Sequence, residues 1–106
     1  MKPVRFHDAA RVELVNEVLY YATISPRLGE GLAAAVEKAV QLASEFPNMG
    51  SPYKYGTRRV FPKKFPFSVV YVVRESEVFV LALAPFRRKP GYWRSRNAAR
   101  SPPTAP

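Results

Sequence analysis

Two apolar runs, FPFSVVYVV at 65–73 and VFVLALA at 78–84, stand on either side of the polar pair Glu75-Ser76. They restrict the possible folds more than any other feature of the chain. Both are rich in β-branched and aromatic residues and of strand length. If Glu75-Ser76 is the turn, Val73 faces Val78 and Tyr71 faces Val80. That register gathers Val70, Val72, Phe79, Leu81 and Leu83 on one sheet face and Phe67, Val69, Tyr71, Val78 and Val80 on the other. An antiparallel sheet with one helical layer normally offers water a polar face, whereas here both faces are apolar and both must be covered. A further extended segment is read at 57–61.

The cover for one face precedes the strands. Val4 and Phe6 share one side of a short extended segment, and Asp8 is placed to cap a helix running from Ala9 to about Ala22. In that helix Ala10, Leu14, Val18 and Tyr21 form one stripe, widened by Val15, Leu19 and Ala22. Ser25-Pro26 reads as a second helix start, with apolar positions at Leu28, Leu32, Val36, Ala39, Ala43 and Phe46 and an end before Pro47. The short connection folds the two helices into an antiparallel hairpin, and Gly29 and Gly31 weaken the opening turn of the second. The expected fold is α+β: an antiparallel β-sheet packed against an N-terminal antiparallel helix hairpin, one domain over 1–96, with the small, proline-rich stretch 97–106 as a disordered tail. The hairpin covers one sheet face. The other is left to the C-terminal segment, a second copy, or a partner chain.

Charge is distributed unevenly. The 106 residues carry 17 Lys plus Arg against 8 Asp plus Glu, a net +9; residues 1–50 hold 5 basic and 6 acidic side chains, residues 51–106 hold 12 and 2. Such a polarised field favours a polyanionic or acidic partner. The absence of cysteine excludes disulfides and thiolate metal sites and suits a reducing cytosol. The apolar runs fall far short of the roughly 20 residues a membrane span needs, so a soluble, cytoplasmic protein with no membrane partner is expected.

Familiar catalytic sets are missing. His7, the sole imidazole, reads as structural rather than as a general base; Glu75 and Glu77 read as solvated turn residues rather than metal ligands; Gly29-x-Gly31 follows no strand and makes no nucleotide loop. No cofactor and no metal is implied. What remains is a set of cations and rings: Arg58, Arg59, Lys63, Lys64, Arg87, Arg88, Lys89, Tyr92, Trp93, Arg94 and Arg96. Guanidinium forks suit phosphate oxygens and rings suit base stacking. A metal-free ribonuclease could draw on Arg58, Lys63, Lys64, Arg87, Arg88 and Tyr92, and the cluster could equally clamp an acidic protein or serve a plain nucleic-acid-binding module.

In order and spacing the chain resembles the ParE branch of the RelE/ParE superfamily, the toxins of type II toxin–antitoxin modules. The resemblance runs from residue 4 to 96. It rests on Phe6, Ala10, Glu13 and Leu14, on Phe46-Pro47, on Phe65-Pro66-Phe67 followed by Tyr71, and on Arg87-Arg88-x-Pro90-x-Tyr92-Trp93-x-x-Arg96. It implies a strand, a helix hairpin and an antiparallel sheet, and a toxin–antitoxin hetero-oligomer in which an acidic antitoxin covers the exposed apolar face. It further implies DNA gyrase as target, with ribosome-dependent mRNA cleavage, the RelE activity, as the alternative. The residues assigned to target or antitoxin contact are Arg59, Phe67, Tyr71, Arg87, Arg88, Tyr92, Trp93, Arg94 and Arg96. RelE-like chains carry an arginine and a tyrosine on a C-terminal helix. Here Pro90-Gly91 separates Arg88 from Tyr92 and breaks such a helix, which places the ribonuclease reading second.

Overall fold

A computed structural model describes residues 1–98. Strand β1 (Val4–Phe6) leads into helix α1 (Asp8–Ile24), helix α2 (Pro26–Glu45), the short strands β2 (Ser51–Pro52) and β3 (Arg58–Val60), and the long hairpin of β4 (Phe67–Val73) and β5 (Val78–Pro85); a 3-10 turn, Arg94–Ala98, ends the described chain. The sheet order is β1-β5-β4-β3-β2. All pairings are antiparallel except β1 with β5, which is parallel, so the α+β expectation holds with a mixed sheet. The expected tail at 97–106 lies mostly outside the described residues, and Asn97 and Ala98 belong to the final 3-10 turn.

Helix α1 starts differently from the expectation. His7 is its N-cap, the ring Nδ1 accepting the Ala9 N–H at 3.0 Å, while Asp8 is the first helical residue, where its charge meets the positive end of the helix. Ser25 separates the two helices and its own N–H closes α1 on the Tyr21 carbonyl at 3.0 Å, although its side chain makes no cap bond to α2. Gly29 proves to be a contact residue: a Cβ there would lie 2.9 Å from both the Ala22 Cβ and the Val18 carbonyl oxygen. Its missing side chain lets the helices approach closely, so the weak first turn has a packing purpose.

The helix pair packs Leu32, Val36, Ala39 and Ala43 of α2 and Ala10 of α1 against Phe67, Val69, Tyr71, Val78 and Val80, with Leu14, Val18 and Tyr21 at the margin. Each fully buried large side chain contributes about 1.5–3 kcal/mol. Val15, Leu19, Leu28 and Phe46, expected in this contact, are exposed.

The hairpin register matches expectation near its turn, with Val73 opposite Val78 and Tyr71 opposite Val80. Beyond Tyr71 it shifts. Val70 pairs with Ala82, leaving Leu81 as the extra residue of a bulge. Leu81 and Ala82 therefore join the second core while Leu83 returns to the helix side, which corrects the face assigned to Leu83. The second core comprises Val70, Val72, Phe79, Leu81, Ala82, Ala84 and Trp93, flanked by Tyr53 and Tyr92. Its cover is the chain's own C-terminal segment, so of the three candidate covers the first is present. The reading in which an antitoxin supplies that cover is corrected accordingly.

Candidate functional site

The residues after β5 begin the site. Arg88 donates its backbone N–H to the Pro85 carbonyl at 3.1 Å, and Phe86 donates to the Pro66 carbonyl at 3.0 Å, fastening this turn to the loop between β3 and β4. The rings of Phe61 and Phe86 meet edge to face at 6.0 Å. Two loops distant in sequence thus converge at one end of the sheet. They carry Lys63, Lys64, Arg87, Arg88 and Lys89, all exposed, and none of the three ion pairs found among the described residues involves any of them.

Past the cations the backbone must reverse. Gly91, at φ +99°, makes that reversal, and a Cβ there would sit 3.0 Å from the Tyr55 ring. Trp93 then drops into the second core with Tyr53 and Tyr55 rings 5.9 and 6.0 Å away. The Pro90-Gly91 break prevents a helix, yet Arg88 and Tyr92 still meet: the guanidinium lies 3.5 Å from the centre of the Tyr92 ring. Burial, reinforced by the charge of Glu13 and opposed by Arg88 and Arg96, pushes the Tyr92 phenol up to about 12.

The other sequence-predicted residues are dispersed. Phe67, Tyr71 and Trp93 are core side chains with no surface to offer a partner; the Tyr71 hydroxyl donates to the Pro47 carbonyl at 2.7 Å and accepts the Gly50 N–H at 3.2 Å. Arg58 donates to the carbonyls of Asn48 and Gly50 at 3.0 and 2.7 Å. Arg96 pairs with Glu13. Arg94 lies over Tyr55, 4.8 Å from its ring centre. Arg59 lies between Tyr53 and Phe61, 4.0 and 5.0 Å from their centres. Glu77 is not a solvated turn residue: it is buried and accepts from both Arg5 and Arg74 at 3.0 and 3.1 Å.

Sequence reasoning missed Tyr53, Phe61 and Phe86, which line a cavity of about 340 Å³ together with Arg59, Arg88 and Trp93. Phe61 and Phe86 each sit just past a strand end, and that placement was the available signal. Among the described residues, Arg59 Nε and Trp93 Nε1 are sealed from solvent without an acceptor, an arrangement costing about 1–3 kcal/mol per group. No group of three metal-ligating side chains occurs among the described residues, and none of their helices is long and apolar enough to cross a membrane.

Against this geometry the comparisons agree. Residues 4–90 match a family described as the ParE toxin of the type II toxin–antitoxin system, parDE. A solved structure described as the chromosomal ParDE TA system from P. aeruginosa is similar in fold, with a TM-score of 0.71 at 20% identity over 80% of this chain and 96% of that one. No curated protein matched the sequence.

Proposed function

The chain belongs to the ParE family of type II toxin–antitoxin toxins, and we propose that it arrests growth by inhibiting DNA gyrase in the cytoplasm and is neutralised by an acidic antitoxin encoded beside it. The observation that carries this reading is the convergence of Lys63, Lys64, Arg87, Arg88 and Lys89 at one end of the sheet without carboxylate partners among the described residues. A concentrated positive field on a rigid sheet end attracts an acidic antitoxin segment and an enzyme engaged with DNA by the same long-range force.

Ribosome-dependent RNA cleavage draws less support. Its natural proton acceptor, the Tyr92 phenol, titrates at about 12, so only about one molecule in 10⁵ would carry a phenolate at neutral pH. Arg58, a candidate for stabilising the phosphorane, is occupied by two backbone carbonyls.

The deciding experiment is a gyrase supercoiling assay with purified protein. Loss of supercoiling or accumulation of trapped, cleaved DNA at micromolar toxin is the expected result, reversed by the antitoxin. Unaffected gyrase combined with ribosome-dependent transcript cleavage would replace this reading with the ribonuclease one.

A further inference from the structure

The cavity of about 340 Å³ beside the cationic end has a one-sided chemistry. Its charged wall groups are Arg59 and Arg88, with no carboxylate among the lining residues. Arg59 Nε and Trp93 Nε1 lie behind this wall, sealed from solvent and without an acceptor among the described residues, so the groups left to meet a ligand are the outer ends of the two guanidiniums. Both guanidiniums have a ring stacked on a face, Tyr53 under Arg59 and Tyr92 under Arg88, an arrangement that holds the fork in place and leaves its in-plane N–H groups for oxygen ligands. Two ring-backed cations and no competing anion in the lining define a site for an oxyanion.

The mouth adds a second requirement. Phe61 and Phe86 are 46% and 58% exposed, large values for phenylalanine at a rigid strand end, and both line the cavity. A planar ring placed on them would remove apolar surface from water. The volume falls at the lower end of small-ligand sites, which suits one phosphate with one ring system and not an oligonucleotide. We propose that this cavity binds a nucleoside monophosphate or a closely similar aryl phosphate, its phosphate held by Arg59 and Arg88 and its ring seated on Phe61 and Phe86. The site is independent of the gyrase reading, since no part of the argument uses a protein target.

Trp93 is the sole tryptophan of the chain and forms part of the wall, so its emission reports occupancy. Titration of the full chain with AMP should change Trp93 emission saturably, and calorimetry should give the same midpoint. Inorganic phosphate should compete, and adenosine should bind at least tenfold more weakly. Arg88→Gln and Phe86→Ala alter exposed side chains and should leave folding intact while weakening AMP about tenfold and severalfold. Arg27→Gln, an exposed cation on α2, is the control for general attraction to a basic protein and should change nothing. Absence of a saturable response at millimolar AMP overturns the proposal, as does equal binding of adenosine or equal weakening by Arg27→Gln.

Discussion

Glu13 of α1 and Arg96 of the final 3-10 turn form a two-pronged ion pair, Nη1 to Oε1 at 2.9 Å and Nη2 to Oε2 at 3.0 Å. The pair also services the β5 bulge. Glu13 Oε1 accepts the Leu83 N–H at 3.2 Å, and Arg96 Nη1 donates to the Leu81 carbonyl at 3.0 Å. One contact therefore joins the helix layer, the irregular strand and the segment that covers the second core.

Removing either partner strands the other in a mostly buried place. Glu13→Ala should destabilise the protein by about 2 kcal/mol, through the unpaired guanidinium and the orphaned Leu83 N–H. The double variant with Arg96→Ala should cost less than the sum, with a coupling of about 1–2 kcal/mol. Urea unfolding of the four proteins measures both. Additive losses would show that the pair does not act as a unit.

Strands β1, β3, β4 and β5, the helix hairpin and the turn-proximal register were legible because each is set by local periodicity and short connections, whereas β2 is a two-residue strand in a stretch that reads as turn. Leu83 was not, since the bulge at Leu81 is filled by Glu13 and Arg96, residues distant in sequence from the strand. Trp93 misled for a related reason: flanked by Tyr92 and Arg94 it reads as a surface residue, and only the reversal at Gly91 turns it inward. Glu77 looked solvated because its partner Arg5 lies on β1, whose parallel pairing with β5 no hairpin logic supplies. The candidate site was half visible. Its cations stood out as a charge run, while the aromatic wall required two loops to be brought together.

Glu77 should couple stability to acid. Its hydrogen bond to Arg5, with further support from Arg74, holds the carboxyl below the usual carboxylate range despite the opposing effect of burial. A carboxyl lowered on folding stabilises above its unfolded value and loses that contribution as pH falls through the folded one. The urea midpoint should therefore drop on acidification from about pH 5 downward, and Glu77→Gln should flatten that drop while lowering stability near neutrality. A parallel decline in the two proteins would count against this assignment.

At the alkaline end the sign reverses. Tyr92 is pushed up to about 12 and Tyr71 is raised by burial, against an ordinary 10.0. Their neutral forms stabilise the fold fully below the unfolded value, and that contribution is lost between about pH 10 and 12 as the unfolded chain ionises first. Ultraviolet difference titration should show two tyrosines ionising late, and Tyr92→Phe should remove one of them. All tyrosines ionising together in the folded protein would refute it.

Two glycines on α2 should respond in opposite directions to the same change. Gly29→Ala would drive a Cβ to 2.9 Å from Ala22 and from the Val18 carbonyl, forcing the helices apart at about 1–3 kcal/mol. At Gly31 the nearest atom to a new Cβ is the Phe65 ring at 3.6 Å, ordinary contact, and alanine should stabilise by about 0.5–1 kcal/mol through helix propensity. Thermal midpoints moving the same way would mean that the helix contact at Gly29 is looser than the geometry indicates.

The exposed cations should separate stability from association. Lys63, Arg87 and Lys89 pack no core and make no ion pair with described residues, so replacing all three by Gln should change unfolding free energy by no more than about 0.5 kcal/mol per site. Under the function proposed above, capture of the antitoxin and of gyrase would draw on their field, and long-range attraction sets on-rates more than off-rates. Surface plasmon resonance should show slower association and a shallower salt dependence for the triple variant, with dissociation nearly unchanged. A loss confined to dissociation would mean that these side chains make close contacts in the complex and do not act by steering.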